Sequence, residues 1–186
     1  MSSIIIQEGD ALLNFQKILE KAGLKQNMIV GDLGCGGVGY FVLQAAKMIG
    51  KDGIVYAIDI LKTALRGIES KARLEKIYNI KTIWSNLEIY KATKIKDKEL
   101  DVILLTNIMH QSKNPSFIFK EAIRMLKKDG KILIVEWEQT DSLFGPEVKN
   151  RISKKTIEKI ADENNLKKEE DFKAGKYHYG IIFKKK

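Results

Sequence analysis

The chain has 186 residues, 44% of them apolar and 31% charged, and a net charge of +9. That length suits one domain over residues 1–186, with material for a real core and little left for a second. The composition excludes a disordered chain, and no apolar run approaches the ~20 residues that cross a bilayer.

Met1 to Gln7 carries no basic segment and too short an apolar run for a signal peptide. A single cysteine, Cys35, excludes an internal disulfide and a cysteine-based zinc cluster, and points to a reducing cytoplasm. The positive charge raises the question of a nucleic-acid partner. The lysines, however, are spread over the whole chain, and the arginines number four, Arg66, Arg73, Arg124 and Arg151. Nucleic-acid readers lean on arginine for bidentate contacts. A solvated lysine-rich surface is therefore the favoured reading, with Lys184 to Lys186 as a frayed tail.

Two apolar patterns alternate along the chain. Ala11, Phe15, Ile18 and Ala22 fall at helical spacing, which predicts a helix over 10–22 ended by Gly23. Met28 to Leu33 is a short apolar run, a buried strand. Val38, Phe41, Val42, Ala45, Ala46 and Ile49 share one helical face, closed by Gly50. A second strand runs from Ile54 to Ile60, a helix over 61–76, and a third strand from Lys81 to Ser85. Residues 86–99 give no firm element. Val102 to Thr106 is a buried strand, and Asn114-Pro115 opens a helix in which Phe119, Ala122, Ile123 and Leu126 share a face. Lys131 to Trp137 is the fifth strand. Ser153 caps a helix over 154–164, and strands follow near 167–172 and 177–183. Such alternation argues for a parallel sheet covered by helices on both faces. The last two strands, with no helix between them, read as an antiparallel pair at its edge.

The central motif is the stretch Val30-Gly31-Asp32-Leu33-Gly34-Cys35-Gly36-Gly37-Val38-Gly39, which follows the first strand and opens a helix. Glycines let the backbone turn tightly and approach a ligand, and the helix N-terminus offers free N–H groups to an anion. The spacing of Gly34, Gly36 and Gly39 fits a dinucleotide fingerprint as well. Asp59, at the end of the second strand, suits ribose hydroxyls in either case. Asp32 discriminates. A carboxylate just before the first glycine crowds a pyrophosphate and suits a ligand with a cationic amino group.

Asp32 to Gly39 resembles motif I of the class I S-adenosylmethionine (SAM)-dependent methyltransferases. Lys47 to Asp59 resembles the helix, turn and second strand that follow it, Asp101 to Asn107 the fourth strand, and Leu126 to Val135 the helix end and fifth strand. The resemblance covers roughly residues 10 to 184. It implies an α/β fold, a seven-stranded, mostly parallel, doubly wound Rossmann-like sheet in the order 3-2-1-4-5-7-6, with strand 7 antiparallel. It also implies that Gly34, Cys35, Gly36 and Gly39 line the methionine part of SAM and that Asp32 holds its amino group, directly or through water. Asp59 takes the ribose hydroxyls, Ile60 packs on the adenine, and Asn86, in Ser85-Asn86-Leu87, stands where the family often has Asp near the adenine amino group. Asn107 borders both donor and acceptor.

Methyl transfer from a sulfonium rests on proximity and alignment, and a base helps only when the nucleophile must lose a proton. His110, just after the fourth strand, is the candidate base, since ligands of such sheets bind at the carboxyl ends of the strands. The competing reading is a loop histidine that shapes the pocket. His178, in the last strand, reads as structural, and two separated histidines with one cysteine give no metal-ligand spacing. The Asn/Asp-Pro-Pro-aromatic motif of methyltransferases acting on DNA bases or glutamine is missing from Asn107-Ile108-Met109-His110. Val135-Glu-Trp137, Gly145-Pro146 and Arg151-Ile-Ser153 are similar to small-molecule methyltransferases of ubiquinone and menaquinone biosynthesis. The expectation is a small, partly apolar methyl acceptor, covered by residues 1–12, 107–115 and 137–152. The alternatives are an RNA or protein methyltransferase of the same fold, a nicotinamide-dependent oxidoreductase and a non-catalytic RNA-binding module.

Overall fold

The computed structural model describes residues 13–185. The strands are β1 (Ile29–Leu33), β2 (Ile54–Asp59), β3 (Ile80–Trp84), β4 (Leu100–Thr106), β5 (Leu126–Trp137), β6 (Leu166–Lys173) and β7 (His178–Lys185). They form one seven-stranded sheet in the order β3-β2-β1-β4-β5-β7-β6. The first five pair parallel, while β7 runs antiparallel to both β5 and β6. This is the order and the orientation that the motifs imply.

Side chains alternate across a strand, so each apolar strand feeds two cores. In β4, Val102 and Leu104 face one side and Ile103 and Leu105 the other. The first side is covered by α1 (Phe15–Lys21) and α2 (Tyr40–Ile49), through Ile18, Leu19, Phe41, Val42, Ala45 and Ile49. Ile68 of α3 (Lys62–Leu74) joins the same core. The second is covered by α4 (Pro115–Met125) and α5 (Lys154–Glu163), through Phe119, Ala122, Met125, Ile157 and Ala161. The helix starts follow local chemistry. The Asn14 and Ser153 side chains accept the N–H groups of Lys17 and Thr156, and Pro115 sits at the start of α4.

Three local expectations change. Leu126 leaves α4 one residue early and pairs with Leu100, so β5 starts five residues before the predicted Lys131. The lysine end is not frayed at 184 and 185. Lys184 pairs with Lys131 in the sheet, and Lys185 Nζ donates to the carbonyls of Ile123 and Leu126. The first helix spans Phe15–Lys21, and residues 1–12, expected to help cover the acceptor, lie outside the described part.

Residues 86–99 form turns rather than a helix, and Arg124 of α4 holds them. Its guanidinium donates to the Ile95 carbonyl (2.7 Å), Asp97 Oδ1 (2.6 Å), Thr93 Oγ1 (3.0 Å) and both oxygens of Glu121 (2.8 and 2.9 Å). Glu121 in turn accepts from the Thr93 hydroxyl and the Lys91 N–H. The Glu121 and Asp97 carboxylates raise the Arg124 pKa, and Arg124 holds that of Asp97 below its usual range.

Candidate active site

The carboxyl ends of the parallel strands and the loops after them build the site. The glycine loop leaves β1 through Gly34, whose φ is +77°, and enters α2 at Gly39, with φ +67°. A Cβ at Gly34 would meet Ile108 Cγ1 at 2.5 Å, so the absence of a side chain lets the β4 loop close over the turn. At Gly36, also in the left-handed region, a Cβ would meet nothing within 4 Å. That backbone faces open space. The open space is a cleft of about 410 Å³ lined by Gly34, Gly36, Asp59, Ile60, Ser85, Asn86, Leu87, Ile108 and Ile118, together with Leu61, Glu88, Gln111 and Ser112.

Asp59 ties the loop to β2. Its Oδ2 accepts the Gly36 N–H (2.9 Å) and its Oδ1 the Leu61 N–H (2.8 Å). Each oxygen keeps a second lone pair for a hydroxyl donor. Asp32 lies beneath, 1% exposed, with Oδ1 unpartnered. Burial, and then the charge of Asp59, push its pKa up from 3.8 to about 7. The Cys35 thiol is pushed up by burial and by both aspartates, which makes it inert, and it packs against the core beside α2 rather than lining the cleft. Its backbone N–H donates to the Ile58 carbonyl.

Of the predicted donor-site residues, Gly34, Gly36, Asp59, Ile60, Asn86 and Leu87 line the cleft. Asn86 Oδ1 already accepts the Glu88 N–H at 2.9 Å. Gly39 packs against Ile68 at the start of α2, away from the cleft wall. Asn107 adopts φ +53°, and its Oδ1 is buried without a partner. That strained turn directs the chain from β4 into the 109–111 turn that carries His110.

Sequence reasoning missed Glu136. Its side chain is fully buried, and Oε2 lies 2.8 Å from His110 Nδ1. Oε1 accepts the N–H of Met109 (2.7 Å) and of His110 (3.3 Å). The signal was a lone carboxylate interrupting the apolar run of β5, where burial without pairing is costly. Leu13 to Lys185 contain no group of His, Cys, Asp and Glu that could hold a metal ion.

The segment after β5 folds around two side chains. Arg151 donates to the carbonyls of Glu138, Thr140, Phe144 and Pro146 at 2.6–3.2 Å. Its guanidinium also lies over the Trp137 ring, 5.4 Å from the centroid. Gly145, at φ +79°, approaches Trp137 so closely that a Cβ would sit 2.7 Å from the ring. Gly145→Ala is expected to expel Trp137 from this clasp and cost about 1–3 kcal/mol. Trp fluorescence and the melting temperature would report the change, and an unshifted pair of readings would contradict the packing.

The methyltransferase domain family model matches residues 24–184. The chain is 28% identical over 122 residues to the ubiquinone/menaquinone biosynthesis C-methyltransferase UbiE of Shewanella pealeana, covering 65% of this chain and 47% of that one. It thus spans about half the length of that curated relative. Among solved structures, a SAM-dependent methyltransferase from Aquifex aeolicus superposes with a TM-score of 0.85 at 24% identity, over 93% of this chain and 90% of that one. A type 11 methyltransferase from Sulfolobus solfataricus gives 0.76 at 26% identity, over 95% and 94%. With the family model spanning nearly the whole described chain and the sheet order that its motifs imply, the protein belongs to the methyltransferase domain family.

Proposed function

We propose that the chain transfers a methyl group from SAM to a small-molecule acceptor. The observation that carries the donor assignment is Asp32, a buried carboxyl with an unpartnered oxygen beneath a glycine turn. A cationic amino group repays the cost of ionising it there. The backbone of Gly34, Cys35 and Gly36 lines the methionine part, with Gly39 setting the start of the helix behind them. Asp59 receives the ribose hydroxyls on its free lone pairs, Ile60 and Leu87 flank the adenine, and Asn86 meets its polar edge. Asn107 borders the reacting end. When bound, SAM supplies a methyl group already activated by the sulfonium.

His110 is the group that takes a proton from the acceptor. Its Nδ1 is engaged by Glu136, which leaves Nε2 as the acceptor of that proton. The small-molecule reading draws on the similarity to the Shewanella enzyme and on the compact cover over the strand ends, where 138–151 close on Arg151. The expected outcome is calorimetric binding of SAM and not of NADH, and transfer of label from SAM into the small-molecule fraction of a cell extract. Label in bulk RNA alone would overturn the small-molecule assignment, and NADH binding in place of SAM the donor assignment.

A further inference from the structure

Single exposed apolar side chains are normal on a protein surface, but here they are unevenly placed. Of the twelve large ones that stand exposed among the described residues, only Leu74 and Tyr78 lie at the amino end of the sheet, where α3 ends and β3 begins. The rest stand on the loops and first helical turns at the carboxyl end. Ile60 and Leu61 line the donor cleft, so the donor accounts for them. Trp84, Ile89, Tyr90, Phe117, Leu143 and Phe144 do not line it. Trp84 and Tyr90 are each 59% exposed, and Leu143 is 99% exposed. Such a set, at one end of the fold and outside its cleft, marks a surface that meets something apolar.

Lysines stand over the aromatic members of the set. Lys62 Nζ lies 4.7 Å from the Trp84 ring centroid, Lys91 Nζ 5.7 Å from that of Tyr90, and Lys120 Nζ 5.7 Å from that of Phe117. At the β6–β7 turn, Lys176 Nζ lies 5.2 Å from the centroid of Tyr177, whose ring neighbours Phe144 at 6.2 Å. An exposed ring with an ammonium beside it suits the membrane–water boundary, where the ring sits at headgroup level and the ammonium meets phosphate. We infer that the carboxyl end of the sheet docks on an anionic phospholipid membrane, with its aromatic and aliphatic tips in the headgroup layer and the neighbouring lysines on the lipid phosphates. The inference goes beyond the methyl-transfer reading and stands without it.

The charge agrees with this partner. The chain carries +9, and a lysine near an anionic bilayer strengthens binding about fivefold. Two acidic groups at this end are engaged within the fold, Glu88 by the Ser112 hydroxyl and Glu147 by Lys149. An RNA strand would use the same lysines, but it calls for arginine and for stacking faces. Arg124 and Arg151 turn their guanidinium groups inward, and the aliphatic Ile89 and Leu143 stack no base. A second copy would bring one lysine rim against another. The tips are single side chains on loops and helix starts, so the contact is peripheral rather than spanning. Docked in this way, the mouth of the donor cleft opens against the headgroups, since Glu88 of its lining is followed directly by Ile89 and Tyr90.

Trp84 reports on the contact, because the second tryptophan, Trp137, is clasped by Arg151 and Gly145. The parent should co-sediment with vesicles of equal parts phosphatidylglycerol and phosphatidylcholine. Its Trp84 emission should move to the blue there and be quenched by brominated acyl chains. Pure phosphatidylcholine vesicles, or about 0.5 M salt, should weaken binding about 10-fold or more. Lys91→Gln with Lys120→Gln should weaken it about 10–30-fold, and the matching pair of Arg variants should restore it. Tyr90→Ser with Phe117→Ser should weaken it about 10-fold, with melting temperatures recorded alongside. Leu143→Ser, at a side chain too exposed to support the fold, should weaken it about 5-fold with an unchanged melting temperature. Anionic vesicles that leave the parent in solution, or bind it without moving Trp84 emission, would overturn the docking surface. So would binding that the lysine pair and Leu143→Ser both leave unchanged, or a preference for poly(U) over the vesicles. None of these readouts needs SAM, so a parent that fails to bind SAM would break the donor assignment alone.

Discussion

Replacing Asp32 with Asn is expected to raise the melting temperature of the ligand-free protein by about 2–8 °C at pH 8 and to weaken SAM binding about 10–100-fold. The two effects have one cause. In the fold Asp32 keeps its proton up to about pH 7, whereas an ordinary aspartate loses it near 3.8. Between those values the folded state binds the extra proton, so this group makes stability fall as pH rises, and the penalty is complete above 7. The gap corresponds to about 4 kcal/mol, part of which an unpartnered Asn amide retains, leaving a gain of about 1–2 kcal/mol. The cationic amino group needs the ionised form, so the contribution of Asp32 to SAM affinity should grow as pH climbs through about 7. Thermal melts and calorimetry from pH 5 to 8.5 would read both trends. A variant that melts lower at pH 8 and holds SAM as tightly as the parent would refute the role of Asp32.

Arg124→Ala should be the most destabilising single change outside the cleft, at about 3–5 kcal/mol, or roughly 6–20 °C in melting temperature. It strips the cation from Glu121, whose side chain is fully buried, and frees Thr93, Ile95 and Asp97 from α4. Much of that cost is the stranded carboxylate. The double variant Arg124→Met, Glu121→Leu should therefore lose less than Arg124→Ala alone. Equal losses would mean that the loop contacts, and not the stranded charge, dominate. Because residues 85–88, where this segment begins, line the cleft, SAM affinity should fall in parallel with stability in Arg124→Ala.

The sheet was legible because its signals are local. Apolar runs marked β1, β2, β4 and β5, and the loop after β1 carried its own chemistry in Asp32 and the glycines. Elements fixed by distant partners were not. The turns at 86–99 hang on Arg124, and Lys91, Lys94 and Lys98 within them take positive φ, which no propensity foretells. Leu126 looked like the last residue of a helical face until pairing with Leu100 drew it into β5. In the site, His110 stood out by its place after a strand. Its partner Glu136 lies 26 residues away on the neighbouring strand, and only the register of β4 against β5 brings the two together. His178 read as structural, and its ring is buried against Trp137.

Arg151 fastens the segment over the strand ends by gripping main-chain oxygens alone. Every amino acid carries that oxygen, so the fastening is indifferent to which side chains occupy 138–144. Mutations there can accumulate without unhooking the strap, so a lineage or a randomised library can vary this surface while the fold beneath it stays intact. Gly145 and Pro146, pinned by Trp137 and by the turn itself, mark where that freedom stops.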